Sequence, residues 1–299
     1  LGGVIYHYAW GGKLTIDSCT FTSNTADKGG AMWAGAKAPV EIIGGTFKSN
    51  SAPVGGALYL DTSMFSTTNA SAANVTIKGG TVFEDNIATT GSAGAIYVAD
   101  TTTNGTGATT LIANNVTFKN NKSFYTGGAI ATDDSSPNLV IKLTDCVFEG
   151  NQAGYNNASG TPGGGAIEIQ NGNAYSNGDP TANKIVFTNC VFTNNSGKGT
   201  GGAIDIRTAS YVKIDGIEAT GNKSTSGWNG AVVYVTSAGS RLYLTGNVTA
   251  SNNTAGKADK FAYIANAEAY LYTTHNSSAS WVSLTYSASA IKYNQTTMP

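Results

Sequence analysis

The sequence predicts an all-β fold: a right-handed, single-stranded parallel β-helix (a β-solenoid) of about eight to nine coils with a C-terminal cap. Three observations carry that prediction. Two short signatures, Phe-x-x-Asn and Gly-Gly-Ala, recur together along the 299 residues, and self-similarity at a period of a few tens of residues marks a repeat architecture. The runs between them alternate apolar and polar residues, which is the period of a strand and not of an amphipathic helix. With no helix to make crossovers, short strands in series pair most simply by winding, each parallel to its counterpart one turn on, about 4.8 Å away.

Each repeat opens on an alternating run: Leu14-Thr-Ile16, Val40-Glu-Ile42, Val75-Thr-Ile77, Val140-Ile-Lys-Leu143, Ile185-Val-Phe187, Val212-Lys-Ile214 and Leu242-Tyr-Leu244. Their β-branched content reads as short strands. A corner such as Asp17-Ser18 or Gly44-Gly45 leads to the second element, Phe21/Asn24, Phe47/Asn50, Phe83/Asn86, Phe118/Asn121, Phe148/Asn151 and Phe192/Asn195, with degenerate copies at Ala219/Asn222 and Ala250/Asn253. A polar link then reaches the Gly-Gly-Ala strand, which starts at Gly29, Gly55, Gly127, Gly164 and Gly201, with looser copies at Gly2-Gly3-Val4, Ala93-Gly94-Ala95 and Asn229-Gly230-Ala231.

In a coil, like stacks on like. The Phe column is then a buried ring stack, each ring contributing about 1.5–3 kcal/mol of burial. The Asn column is an amide ladder, placed at a corner where Asn tolerates left-handed backbone. The glycine pair supplies positive φ and close approach. Repeat spacing varies from 26 to 38 residues. The extra length falls after the Gly-Gly-Ala strand (61–74, 99–109, 131–138, 171–183) and between Asn and Gly-Gly (152–163). Insertions at fixed phase are expected to cluster along edges of the solenoid, where repeat proteins place binding surfaces. From about Ala267 the pattern decays. Residues 1–266 are therefore assigned to the solenoid and 267–299 to a cap or transition segment. Within the latter, Tyr270-Leu-Tyr272 is expected as one more strand and 281–286 as a strand across the open end, since an uncovered coil edge templates aggregation.

Composition excludes several classes. Net charge is −1 with 12% charged residues, so there is no electrostatic footprint for nucleic acid or an anionic membrane. No run approaches the roughly 18 apolar residues of a membrane helix. The 38 glycines accompany 40% hydrophobic residues in periodic order, enough to bury a core. Cys19, Cys146 and Cys190 lack metal-ligand spacing. Each lies two residues before a repeat Phe and is expected as a small core residue. A Cys146–Cys190 disulfide between neighbouring turns fits in-register strand geometry poorly. The chain starts inside a repeat with no signal peptide, as expected of a fragment of a larger protein with flanking domains.

Gly-Gly-Ala-[Ile/Leu/Val] paired with Phe-x-x-Asn and repeated over residues 2–253 resembles the polymorphic membrane protein (Pmp) repeats of chlamydial autotransporter adhesins. The resemblance implies a β-helical passenger displayed on a prokaryotic cell surface, whose partners are glycans or proteins of host or neighbouring cells. This sequence departs from the family in having no carboxy-terminal barrel and in carrying Ala219 and Ala250 at the last two Phe positions.

Candidate site residues follow from the alternation. The position two after the Gly-Gly-Ala alanine faces outward and reads Tyr6, Trp33, Tyr59, Tyr97, Ala131, Glu168, Asp205 down the turns. The aromatics form an expected exposed strip suited to sugar rings or apolar side chains, or else they stack on one another under the inserted loops. Glu168 and Asp205 fall side by side. Their readings are a salt-bridge cluster with Arg207 and Lys184, a cation site or a retaining-glycosidase dyad, the salt bridge being expected. Catalytic β-helices need clustered Asp with a placed Arg or Lys, whereas this chain has two arginines, Arg207 and Arg241. Asp133-Asp134 reads as a turn, and His7 and His275 lie at opposite ends. Thr101–Thr103 and Thr109–Thr110 fall in insertions and not at one phase, against an ice-binding array. A sequon at ladder residue Asn222 favours a prokaryotic source. The function expected is a non-enzymatic adhesin-like module with no catalytic residue, metal or cofactor. The alternatives are a carbohydrate-active β-helix enzyme and a structural stalk.

Overall fold

The computed structural model describes residues 1–8, 12–35, 39–61, 73–99, 108–133, 139–157, 160–170, 184–208, 210–225, 230–255, 261–273, 282–285 and 290–293. Their regular elements are all strands, and the chain is a parallel β-helix. The Gly-Gly-Ala strands stack into a ten-stranded sheet from Ile5–His7 to Val282–Thr285. The alternating runs and the Phe segments share a fifteen-stranded broad sheet. The polar link is itself partly a strand: its first two residues pair as a seven-stranded narrow sheet from Ser51–Ala52 to Thr254–Ala255.

Register is parallel and residue-on-residue. Phe21, Phe47, Phe83, Phe118, Phe148 and Phe192 pair in one file that continues as Ala219 and Ala250. Neighbouring rings stack with centroids 4.7–5.2 Å apart and planes within 14°. One continuous core holds them together with the inward residues of the other strands.

The asparagine file is a complete hydrogen-bond circuit. Asn121 Oδ1 accepts from the backbone N (3.1 Å) and Nδ2 (2.9 Å) of Asn86. Its own Nδ2 donates to Asn151 Oδ1 and to the Phe83 carbonyl, both at 3.0 Å. That uses both lone-pair sites and both amide hydrogens. The same pattern links Asn24, Asn50, Asn86, Asn121, Asn151, Asn195 and Asn222 to Asn253. The ladder residues are not themselves left-handed, contrary to expectation. The residue before each one is: Ser23, Ser49, Asp85, Asn120, Asn194 and Asn252 have φ of 53–57°. The chain reverses on a residue facing solvent and leaves the ladder Asn to aim its amide along the stack. The two glycines of each pair also differ. Gly127 carries the positive φ (58°), whereas a Cβ on Gly128 would collide with the Gly165 carbonyl of the next coil. A Cβ on Gly127 would instead meet the Ile130 carbonyl of its own coil, a local clash that the chain accommodates where Ala93 holds the first position at φ 64°.

Three further details depart from the sequence expectations. The expected corner vanishes in the later coils, where Ile185–Thr193, Tyr211–Thr220 and Arg241–Ser251 run through as single strands, still with left-handed Asn189, Gly216 and Gly246 at mid-length. Ile204 pairs with Val233, which aligns Gly201-Gly202-Ala203 with Gly230-Ala231-Val232, one residue later than read; Asn229 lies outside the described residues. The strand expected to cross the open end instead adds a rung. Val282–Thr285 pairs parallel with Ala262–Ala265, as Ala290–Tyr293 does with Glu268–Thr273; Trp281 lies outside the described residues. Parallel pairing satisfies the backbone groups left on the previous rung, which a crossing strand would leave open.

Candidate functional surface

The outward column is in register as Tyr6, Trp33, Tyr59, Tyr97, Ala131, Glu168 and Asp205. It continues as Tyr234 and Tyr263, two members that the same alternation in Val233-Tyr-Val235 and Ala262-Tyr-Ile264 reveals. The expected exposed strip is covered. Trp33 is 0% exposed and Tyr59 5%, and only Tyr6 stands open, at 45%. Trp33, Tyr59 and Ala99 form an outer cluster of their own, with Tyr8, Val54 and Tyr97 packed on it. The rings stack in pairs: Tyr6 on Trp33 at 4.7 Å, Tyr59 on Tyr97 at 5.2 Å and Tyr234 on Tyr263 at 5.4 Å. Lys28 lies over the Tyr59 ring at 4.5 Å and donates to its hydroxyl at 3.2 Å. Burial, with help from the charges of Asp61 and Asp133, raises the Tyr59 phenol. A rung spacing near 4.8 Å is close to ring-stacking distance, so aromatics on consecutive coils cover each other.

Glu168 and Asp205 are 2% and 0% exposed and pair backbone to backbone on adjacent strands. Arg207 clamps them. Its Nη2 and Nε donate to Asp205 Oδ2 at 2.6 and 2.9 Å, and Nε lies 3.9 Å from Glu168 Oε1. Thr200 donates to Asp205 Oδ2 at 2.6 Å and Thr126 to Glu168 Oε2. Burial works to lower the Arg207 pKa, but the facing Asp205 charge and hydrogen bond, with Glu168, outweigh it and the guanidinium is raised. The geometry is that of the expected salt-bridge cluster. Lys184, next to the broad-sheet strand Ile185–Thr193, takes no part in it among the described residues, because the sequence separation that suggested it ignores which sheet each residue lies against. Among the described residues no group of three or more metal-ligating side chains occurs. Asp134, His275 and Thr101–Thr103 lie outside the described residues. Thr109 opens the strand Thr109–Asn114 and donates to the Ala99 carbonyl at 2.9 Å.

The cysteines are free. Cys146 and Cys190 are buried and serve as thiol donors: Cys146 to the Thr144 carbonyl at 3.3 Å, Cys190 to the Thr188 carbonyl at 3.5 Å. Thr81 donates from the same file. Cys190 is raised by its hydrogen bond to the Cys146 thiol and by burial. Cys19, expected in the core, is exposed. It lies between the strands Leu14–Asp17 and Thr20–Thr22, which end the broad sheet among the described residues.

The solvent face of the broad sheet carries ion pairs across rungs. Lys48 meets Glu84 at 2.8 Å, Lys119 meets Glu149 at 3.5 Å, and Glu41 sits between Lys13 and Lys78. Hydrogen bonds from those two lysines hold Glu41 down at about 2. Farther along, Arg241 lies 2.8 Å from Glu268 and over the Tyr211 ring. After Asn151, residues 155–157 lie against the narrow-sheet edge: Tyr155 N donates to the Ser123 carbonyl at 2.8 Å, and Asn157 Nδ2 to the Phe124 carbonyl at 3.2 Å.

Comparison with known proteins agrees with the columns. The Chlamydia polymorphic membrane protein (Chlamydia_PMP) repeat matches residues 115–133 and 189–207, in each case a stretch from the left-handed corner Asn through Phe-x-x-Asn to the end of the Gly-Gly-Ala strand. Over 124 residues, 41% of this chain, the sequence is 36% identical to the probable autotransporter YfaL of Escherichia coli (strain K12). The matched region is 9% of that protein, so this chain spans a small part of the length of the curated relative it matches. No solved structure matches.

Proposed function

We propose that this chain, a β-helix built from Pmp-type repeats, is an adhesin-like module of a cell-surface, autotransporter-like protein and attaches to glycans or proteins of host or neighbouring cells without catalysis. The observation that carries this reading is the division of labour in the coil. Phe, Asn and glycine files are spent on the interior of the stack, where they make a rod with repeating internal contacts. The residues that change from coil to coil lie on the solvent faces and in the insertions, where binding surfaces of repeat proteins occur. Similarity to Pmp repeats and to a probable autotransporter supports surface display. The salt-bridged burial of Glu168 and Asp205 speaks against a free carboxylate dyad there.

The test is retention of the immobilised chain on arrays of glycans and of cell-surface proteins, with a panel of polysaccharides assayed for cleavage in parallel. Saturable retention on one ligand class without turnover supports attachment. No retention on any ligand, or cleavage abolished by Glu168→Gln, overturns it.

A further inference from the structure

We infer that the narrow-sheet edge is a docking strip for an acidic carbohydrate, a uronate-bearing chain, laid along the solenoid axis; this rests on the adhesin reading and names its ligand class. The strip is made by the polar links of four consecutive coils: Lys122 and Tyr125, then Tyr155, then Lys198, then Lys223. Lys122, Gln152, Ser196 and Lys223 are one register file of the narrow sheet, so Lys122 and Lys223 stand three rungs, about 14 Å, apart. The links of these coils (122–126, 152–163, 196–200 and 223–229) contain three lysines and no Asp or Glu, on a chain whose net charge is −1.

On the broad sheet Lys13, Lys48, Lys78, Lys119 and Lys213 each meet a carboxylate. On the narrow edge Lys122 lies over the Tyr155 ring at 4.7 Å and Lys198 donates to the Asn157 carbonyl, contacts that position the ammonium groups without neutralising them; among the described residues neither meets a carboxylate. Tyr125 is 52% exposed, and its backbone is hydrogen-bonded on both sides. Its N donates to the Gly91 carbonyl and its carbonyl accepts from Gly154 N, both at 2.9 Å, while its ring meets Phe124 edge-on at 5.0 Å. An exposed ring, Tyr125, beside lysines that meet no carboxylate among the described residues suits a ligand with apolar sugar faces and regularly spaced carboxylates. An acidic peptide would use the charge and leave the ring faces idle.

The experiment measures binding of the chain to polygalacturonate, to its carboxyl-reduced neutral counterpart and to polyglutamate, at several salt concentrations. Polygalacturonate is expected to bind, weakening as salt rises. The triple variant K122Q/K198Q/K223Q is expected to lose at least about tenfold in affinity, the matching triple Lys→Arg variant to retain it, and Tyr125→Ala to weaken it, all with unchanged far-UV circular dichroism. Equal binding of the neutral polymer, equal binding of polyglutamate, or an unaffected triple Gln variant overturns the inference. If polygalacturonate is ignored while the chain still attaches to another ligand, the strip assignment fails and the adhesin reading stands. If polygalacturonate binds through the lysines but the chain attaches to no cell surface, the adhesin reading fails alone.

Discussion

Replacing one ladder asparagine separates an extended amide file from a set of independent corner contacts. Asn121→Ala removes four side-chain hydrogen bonds: two accepted from Asn86 and two donated, to Asn151 Oδ1 and the Phe83 carbonyl. At roughly 1 kcal/mol net each the loss is about 4 kcal/mol, and the Asn86 N–H and Phe83 carbonyl stranded in a dry interior add about 1 kcal/mol or more. Asn24→Ala, at the first rung, removes a single side-chain bond, to Asn50 Oδ1; its backbone bond to the same oxygen survives. The expected cost there is about 1 kcal/mol. Urea unfolding followed by far-UV circular dichroism reads the contrast. Hydrogen exchange locates it, with amide protection falling first in the coils of Asn86 and Asn151, because repeat arrays transmit damage to nearest neighbours. Equal losses at Asn24 and Asn121, or a loss at Asn121 no larger than about 1 kcal/mol, would refute the ladder argument.

Other outcomes follow from the same geometry. Phe118→Ala, in the middle of the ring file, should cost about 3–5 kcal/mol, and Phe21→Ala less, its ring being 9% exposed at the end of the stack; denaturation midpoints check the order. A Cβ on Gly128 would meet the Gly165 carbonyl of the next coil and one on Gly127 the Ile130 carbonyl of its own; Ala93 shows that the clash within one coil can be relieved, so Gly128→Ala should lower the denaturation midpoint more than Gly127→Ala. Glu41 has its pKa depressed to about 2 from 4.5. The stability difference between wild type and Glu41→Gln should therefore be fully present above pH 4.5 and disappear as pH falls through 2, read from midpoints across that range. In the native protein a thiol reagent should label Cys19 alone; Cys146 and Cys190 should react only after unfolding, and early labelling of either would contradict their burial.

The interior of this protein is legible in its sequence because stacking turns a one-dimensional repeat into a column. Phe118 lies on Phe83 and Phe148 for the same reason that the motif recurs. The register slip at Gly230 came where Ala231 and Val232 blur the motif, and the strand Thr109–Asn114 hides in a run without a clear apolar alternation. The solvent face was harder to read. Alternation correctly sends Trp33 and Tyr59 outward, but whether an outward ring is open depends on the rings above and below and on the insertions, none of which the local pattern states. Tyr125 is open, at 52%, on a link that the alternation of the strands does not describe. The Glu168–Arg207–Asp205 cluster was readable because all three share one sheet; Lys184, nearer in chain position than in space, was not.

The most direct test of the central claim is the nuclear Overhauser effect between side-chain amides in the selectively Asn-labelled chain. One coil per repeat, with Asn oxygens bridging consecutive amides, predicts cross-peaks linking Asn86 to Asn121, Asn121 to Asn151 and Asn151 to Asn195, with Nδ2 hydrogens that exchange slowly. Side-chain amides that exchange at solvent rates and show no contact between these pairs would contradict a common axis.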